Sequence, residues 1–184
     1  MKIISRDVLI EGNHLRFVRK NAVTNAGKKV VWETIERVNV HGRGVVVIAA
    51  LTEEKELILE RNWRAPLESY ILQLPAGLTD VADESEEEAA RRELLEETGY
   101  QADELIPIVS VPVSPDITAT RATHFFAPKV HFIGGENTDI GEEIEVIKVP
   151  IKKLDNFLLN PPRNTALDLR VPGMIWILQR KNLL

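Results

Sequence analysis

The chain has 184 residues, of which 44% are hydrophobic and 28% are charged, and it contains no cysteine. A chain of this length forms a core large enough to fold as one domain without disulfides or a structural metal, and the missing cysteines exclude thiol nucleophiles, iron–sulfur clusters and cysteine-bound zinc. The net charge of −5 argues against a nucleic-acid backbone as the main partner.

The first residues and the longest apolar run bear on localisation. Arg6 and Asp7 interrupt the N-terminus before an apolar run of signal-peptide length develops. The longest apolar run, residues 45–51, is much shorter than a membrane span requires. We therefore expect a soluble, cytoplasmic protein that has no membrane partner.

Strand patterns dominate the first two-thirds of the chain. The run VVVIAAL at 45–51 is typical of a central strand that is buried on both faces. The strands predicted in this part, each bounded by turn residues, are 8–10, 15–23, 29–40, 45–51, 56–61 and 71–74.

A strong helix signal begins at Ser85. Ser85 and Glu88 have the spacing of a capping box, in which the hydroxyl and the carboxylate satisfy backbone N–H groups reciprocally. Gly99 provides the left-handed residue that ends a helix. The sequence therefore predicts a helix over 86–98.

The last third mixes strand and helix patterns. Strands are predicted at 106–113, 122–126 and 144–149, and helices at 151–159 and 165–182, the latter with a potential break at Pro172. Mostly antiparallel strands interrupted by one central helix and closed by C-terminal helices indicate an α+β or α/β/α layered domain.

The central helix carries a crowded acidic face. Glu93, Glu96 and Glu97 fall within about a 100° arc of one helix face, where like charges repel each other. A solvated acidic surface is the general explanation of such a run. A site for divalent cations is the alternative, because Mg²⁺ prefers hard oxygen ligands such as carboxylates.

The segment GLTDVADESEEEAARRELLEETGY resembles the Nudix box, G-x5-E-x7-R-E-U-x-E-E-x-G-U, with U a bulky apolar residue. From Glu84 onward every constrained position is in register. Six residues separate Gly77 from Glu84 instead of five. We expect this insertion to bulge outward while the helix stays in register; a repositioned loop would change the roles of Gly77 and Glu84.

Residues outside the box resemble one branch of the family. LPAG before the loop, the pair Ser114-Pro115 after the helix and the segment GEEIEVIKVPIKKL are similar to ADP-ribose and nucleoside-diphosphate-sugar pyrophosphatases. Where relatives commonly carry glutamate before LPAG, this chain has Gln73, which removes one charge near the site.

The resemblance implies roles for the box residues. Glu93 and Glu97 are the principal ligands of Mg²⁺, with Mn²⁺ as the alternative ion, and one to three ions are held. Glu96 assists, and the Ala76 carbonyl adds a backbone oxygen. Arg92, with Glu84, orients these acids by ion pairing; ordinary helix-surface charges are the alternative reading of both. In these roles Glu96 and Arg92 are catalytic residues.

The resemblance also implies substrate contacts and a base. Glu142, which directly follows the glycine-rich loop 133–141, matches the position of the general base, and Glu97 or the metal alone is the alternative. The expected substrate-binding residues are Trp32, Glu33, Arg37, Arg64 and Pro115. Trp32 stacks on the base and Arg64 contacts phosphate, whereas Trp63 and Trp176 are interpreted as packing residues.

These inferences define the expected protein. The resemblance implies a Nudix fold, a mixed sheet sandwiched by helices, in which residues 1–42 form an N-terminal strand region for homodimerisation and base contacts and residues 43–184 form the hydrolase domain. The expected reaction is Mg²⁺-dependent hydrolysis of ADP-ribose to AMP and ribose 5-phosphate. The alternatives are hydrolysis of GDP-mannose or another nucleotide sugar, and a Nudix-like binding module without turnover.

Overall fold

The computed structural model describes residues 1–38, 44–135 and 143–184. Three α-helices lie in these ranges, namely α1 (Glu86–Thr98), α2 (Leu154–Leu159) and α3 (Arg170–Arg180). The strands are β1 (Lys2–Glu11), β2 (Leu15–Val23), β3 (Lys29–Arg37), β4 (Gly44–Thr52), β5 (Glu56–Arg64), β6 (Ser69–Gln73), β7 (Ala76–Leu78), β8 (Tyr100–Ala102), β9 (Ile106–Pro112), β10 (Arg121–Phe132), β11 (Ile144–Pro150) and β12 (Thr165–Leu167).

The strands form two sheets. The first is antiparallel, in the order β1-β2-β3. The second is mixed: the path β12-β6-β5-β4-β10-β8 is extended by β11 on β5, β7 on β4 and β9 on β10. Within it β10 runs parallel to β4, and β12 runs parallel to β6. The predicted α+β class, with a mixed sheet and an N-terminal antiparallel region, is confirmed.

Strand β4 explains the layered architecture. Its side chains alternate between two apolar clusters, because successive residues of a strand point to opposite faces. Val47 and Ala49 pack in the cluster that includes α2 and α3, whereas Val46 and Ile48 pack in the cluster that includes α1. Helices therefore cover both faces of the mixed sheet, as the apolar run at 45–51 predicts.

Local signals define the ends of α1. The Ser85 hydroxyl accepts from the Glu88 N–H, the Glu88 carboxylate accepts from the Ser85 N–H, and Gly99 ends the helix at φ 71°. Ala89, Ala90 and Leu94 are buried against the sheet. Burial of this apolar face fixes the helix rotation, and with it the direction of the acids at 93, 96 and 97.

The prediction of one helix over 165–182 was wrong at its start. Thr165–Leu167 pairs in parallel with β6, and the helix begins only at Arg170. Pro172 does not break α3, because it lies in the first turn, where N–H groups have no acceptor within the helix. The sequence analysis also missed the short strands β7 and β8, which gain their definition from pairing with β4 and β10.

The N-terminal sheet exposes many apolar side chains. Ile4, Ile10 and Val31 are each at least 60% exposed. The Ile35 N–H donates to the Ile117 carbonyl at 2.8 Å, which connects β3 to the loop after β9.

Positions 39–40 of the predicted third strand, and the expected domain boundary at 42, lie outside the described residues. Among the described residues, no helix has both the length and the apolar character needed to cross a membrane.

Two tryptophans interpreted as packing residues are substantially exposed. Trp176 on α3 is 59% exposed and Trp63 on β5 is 39% exposed. The Arg180 guanidinium lies 5.8 Å from the centre of the Trp176 ring. The packing interpretation was therefore wrong for Trp176, whose side chain lies on the outer face of α3.

Candidate functional site

A cavity of about 850 Å³ lies where α1 meets the mixed sheet and the end of the N-terminal sheet. Glu93, Glu96 and Glu97 line it from α1, and Arg37 lines it from the end of β3. Arg64, the last residue of β5, lines the same cavity. Side chains that are far apart in sequence thus meet in one space, with carboxylates and guanidinium groups in its wall.

Arg92 is the centre of an ion-pair network on α1. Its Nε and Nη2 donate to the two carboxylate oxygens of Glu84 at 3.0 and 3.1 Å, a bidentate arrangement. Its Nη1 donates to Glu93 at 2.8 Å and to Glu96 at 3.0 Å. The hydrogen bond to Glu84 is the main reason that the pKa of Arg92 is raised. The permanent positive charge offsets the repulsion among the acids and fixes their directions.

The Glu93 carboxyl group packs directly on Gly77. A Cβ at Gly77 would lie 1.9 Å from Cδ of Glu93 and about as close to its two oxygens. Burial raises the pKa of Glu93 to about 7, although the Arg92 guanidinium opposes this shift. Glycine is therefore needed at position 77, because a side chain there would occupy the space of the Glu93 carboxyl group. This is a steric explanation for the first glycine of the box.

The Glu97 side chain is 5% exposed and lies between two partners. Its Oε2 accepts from the Ala76 N–H at 2.9 Å, and its carboxyl group lies beside that of Glu60, which is fully buried on β5. Burial, followed by the nearby Glu60 carboxyl group, raises the pKa of Glu97. The sequence analysis did not identify Glu60 as a site residue. The only sequence feature that could have indicated it is its position directly after the apolar residues 57–59.

A further hydrogen-bonded pair connects Glu60 to the cavity. Gln73 Nε2 donates to Glu60 Oε2 at 3.3 Å, and Gln73 Oε1 accepts from Arg64 Nη2 at 3.0 Å. A continuous series of contacts therefore runs from Arg64 through Gln73 and Glu60 to Glu97.

The donor set fits a hard divalent cation. Glu93, Glu96 and Glu97 present carboxylate oxygens to the same cavity, and such oxygens are the ligands that Mg²⁺ prefers. Within the described ranges, no three acidic or histidine side chains already surround a common point. All three carboxylates have protein partners instead, since Glu93 and Glu96 pair with Arg92 and Glu97 accepts from the Ala76 N–H. The Ala76 carbonyl remains a predicted ligand.

The inserted residue between Gly77 and the helix is absorbed by an outward bulge. Thr79 is buried and its N–H donates to the Gly44 carbonyl at 3.3 Å, whereas residues 80–83 are exposed. Asp83 adopts a left-handed conformation at φ 63°, after which Glu84 returns to Arg92. The expectation that the loop bulges while the helix stays in register is confirmed.

Some expected site residues lie elsewhere in the structure. Trp32, which is 46% exposed, and Glu33, which pairs with Arg19 at 3.5 Å, lie on β3 outside the cavity lining. Pro115 is in the loop after β9, from which the neighbouring Ile117 lines the cavity instead. The expected base, Glu142, lies outside the described residues.

Comparison with known proteins places this geometry in context. The family model described as "NUDIX domain" matches residues 40–169. The chain is 34% identical over 111 residues to an ADP-ribose pyrophosphatase of Bacillus subtilis, covering 59% of each protein. It is 28% identical over 160 residues to an ADP-sugar pyrophosphatase of Mus musculus, covering 80% of this chain and 72% of that protein.

Further similarities widen the substrate range of the relatives. A GDP-mannose pyrophosphatase of Yersinia enterocolitica is 32% identical over 123 residues, covering 64% of this chain and 63% of that protein. The matched segments thus span less than two thirds of the Bacillus and Yersinia relatives. A crystal structure of an ADP compounds hydrolase superposes with a TM-score of 0.81 at 23% identity, covering 98% of this chain and 92% of that one. At this identity the superposition shows a shared fold.

Proposed function

Because the chain belongs to the NUDIX domain family, we propose that it hydrolyses the diphosphate bond of ADP-ribose to give AMP and ribose 5-phosphate. The observation that carries the proposal is the meeting of the α1 carboxylates with Arg64 and Arg37 in one cavity of about 850 Å³. This volume falls within the range of about 300–1,000 Å³ that is usual for small-molecule sites. The names of the Bacillus and mouse relatives favour an ADP-sugar substrate.

The metal ion in this proposal is Mg²⁺ or Mn²⁺. Glu93 and Glu97 are its principal ligands, Glu96 assists, and the Ala76 carbonyl contributes a backbone oxygen. A bound divalent cation neutralises diphosphate charge and increases the acidity of water. Metal titration of activity decides between the two ions.

The other side chains bind and orient. Arg92, itself held by Glu84, keeps Glu93 and Glu96 directed toward the cavity through its bonds of 2.8 and 3.0 Å. Arg64 binds a phosphate of the substrate, because a planar guanidinium matches phosphate oxygens in a bidentate manner. Glu142 is the proposed general base, and Glu97 is the alternative.

We also propose that the protein acts as a homodimer in which residues 1–42 pair with a second subunit and residues 43–184 form the hydrolase domain. The support is the exposed apolar surface of β1 and β3, since soluble monomers rarely expose large contiguous apolar patches. Trp32 and Glu33 do not line the cavity of their own subunit. In a dimer they would instead contact the base of a substrate that is bound in the other subunit.

Light scattering coupled to gel filtration tests the dimer. We expect twice the mass of one chain for the wild type, and a shift toward one chain for Val31→Lys, which places a charge on an exposed apolar position of β3. A monomeric wild type with full activity would remove both the dimer and the cross-subunit role of Trp32.

GDP-mannose is the second candidate substrate. The Yersinia relative supports it, and Gln73, which stands where relatives commonly carry glutamate before LPAG, leaves the exact substrate open. A non-catalytic binding module is less favoured, because all acids of the box are present.

Product analysis tests the function. Purified protein is incubated with ADP-ribose, GDP-mannose and dinucleotides, with Mg²⁺, with Mn²⁺ or with a chelator. We expect AMP and ribose 5-phosphate from ADP-ribose in the presence of metal, and no product with chelator. Products from GDP-mannose alone would select the second candidate, and no turnover of any diphosphate would contradict both.

A further inference from the structure

Gln73 occupies an unusual position for an amide side chain. It is 2% exposed at the end of β6, and in the antiparallel pairing of β5 with β6 it lies directly opposite Glu60. Directly opposed residues bring their Cβ atoms within about 5 Å, so their side chains interact across the strands. Gln73 also lines the cavity, whereas Glu60 lies behind it.

The two ends of the Gln73 amide have different partners. Its Oε1 accepts from the Arg64 guanidinium at 3.0 Å, and its Nε2 donates to the Glu60 carboxylate at 3.3 Å. Only one of the five guanidinium N–H groups is used in this bond, which leaves donors for a ligand. The amide therefore contacts both a cation that faces the cavity and the buried acid that contacts Glu97.

We propose that Gln73 is a positioning residue that holds Arg64 at the cavity wall and, through Glu60, holds the Glu97 carboxyl group in place. This inference rests on the proposed function, in which Arg64 binds phosphate and Glu97 binds metal. Gln73 itself touches neither metal nor reacting atoms.

With the buried Glu60 directly opposite in this chain, an amide suits this position better than its close analogues, including the glutamate that relatives commonly carry there. A carboxylate at 73 would accept from Arg64 but would present oxygen to Glu60, so three buried carboxyl groups would adjoin one another. An apolar side chain would remove the acceptor that Gln73 offers to Arg64 and the donor that it offers to Glu60. A buried polar group that loses its partner is destabilised or moves, and here the groups that move are Arg64 and Glu97.

A double-mutant cycle tests the contact with Arg64. Q73M keeps the side-chain length and removes both hydrogen bonds. We expect it to raise the KM for the diphosphate substrate about tenfold, since a hydrogen bond to a charged group is lost. In an R64A background the same change should alter KM by less than about twofold, because the residue through which Gln73 affects phosphate binding is absent. An equal rise in both backgrounds, or an unchanged KM in Q73M, would overturn the proposal.

A charge exchange tests the contact with Glu60. Q73E should lower kcat about tenfold or more by crowding carboxyl groups behind Glu97. The double variant E60Q/Q73E restores one amide and one carboxylate in the reverse order, so it should recover most of the loss. If kcat of E60Q/Q73E stays as low as that of Q73E, the link through Glu60 is refuted. A merely structural role of Gln73 would not produce the recovery.

Two measurements keep this test separate from the proposed function. Calorimetry of Mn²⁺ binding to each variant, without substrate, reports directly on Glu97. Calorimetry of ADP-ribose binding, without metal, reports directly on Arg64. An inactive wild type would contradict the proposed function, while the same cycles on these dissociation constants would still decide the role of Gln73. Gln101→Met, at an exposed position on β8, is the matched control and should change none of these quantities.

Discussion

Replacement of Gly77 by alanine should separate catalysis from stability. An alanine Cβ would lie 1.9 Å from Cδ of Glu93, whereas ordinary van der Waals contact begins at 3.4 Å, so the carboxyl group must retreat by about 1.5 Å. The atoms that must move are the far end of a flexible side chain. The retreat would disturb the 2.8 Å bond between Glu93 and Arg92, while Arg92 would retain its bidentate pairing with Glu84.

The size of the effect follows from this displacement. A misplacement of about 1 Å in a catalytic site costs about 100-fold in rate, so we expect kcat/KM of Gly77→Ala to fall by about that factor, or about 2.7 kcal/mol. The free energy of unfolding should change by less than about 1 kcal/mol, because only one side-chain end is displaced. Steady-state kinetics, calorimetric Mn²⁺ binding and urea unfolding measure the three quantities.

Gly173→Ala is the matched control. Nothing lies within 4 Å of the added Cβ at this exposed position of α3, so activity should be unchanged and stability equal or slightly higher. A Gly77→Ala enzyme with kcat/KM within about threefold of the wild type would refute the steric role of Gly77. A loss of stability as large as the loss of activity would show that the clash moves the backbone instead of the carboxyl group.

Three other predictions concern single residues. Glu97→Gln should abolish turnover and Mn²⁺ binding without lowering Tm, because it removes charge from a buried pair of carboxyl groups; unchanged turnover would exclude Glu97 as a ligand. Glu142→Gln should slow kcat while the calorimetric metal affinity stays that of the wild type; normal rates would assign the base to another group. Burial, aided by the nearby Arg170 charge, lowers the pKa of His124, so the neutral form is favoured in the folded state. The unfolded chain then binds more protons, and the stability contributed by neutral His124 is complete above about pH 6.5 and is lost as the pH falls below it. Urea unfolding at a series of pH values should show a shallower decline for His124→Gln; identical declines would contradict this assignment.

Local sequence determined the part of the site that lies on α1. The capping box at Ser85, the terminating Gly99 and the spacing of the acids act over distances of three or four residues, so they could be recognised before any tertiary contact was known. The apolar run of β4 similarly predicted a strand covered on both faces, since both faces of that strand are visible in its composition.

Only the tertiary structure determined the contacts that cross between strands. Glu60 meets Gln73 because β5 and β6 pair in one register, and a shift of one residue in either strand would put the two side chains on opposite faces of the sheet. The contact of Glu93 with Gly77 likewise depends on how α1 packs near β7. The pairing of Thr165–Leu167 with β6 overrode a helical pattern, because the backbone of an edge strand gains its hydrogen bonds from a distant neighbour. Such contacts join residues that have no fixed spacing in the chain, so no periodicity could predict them.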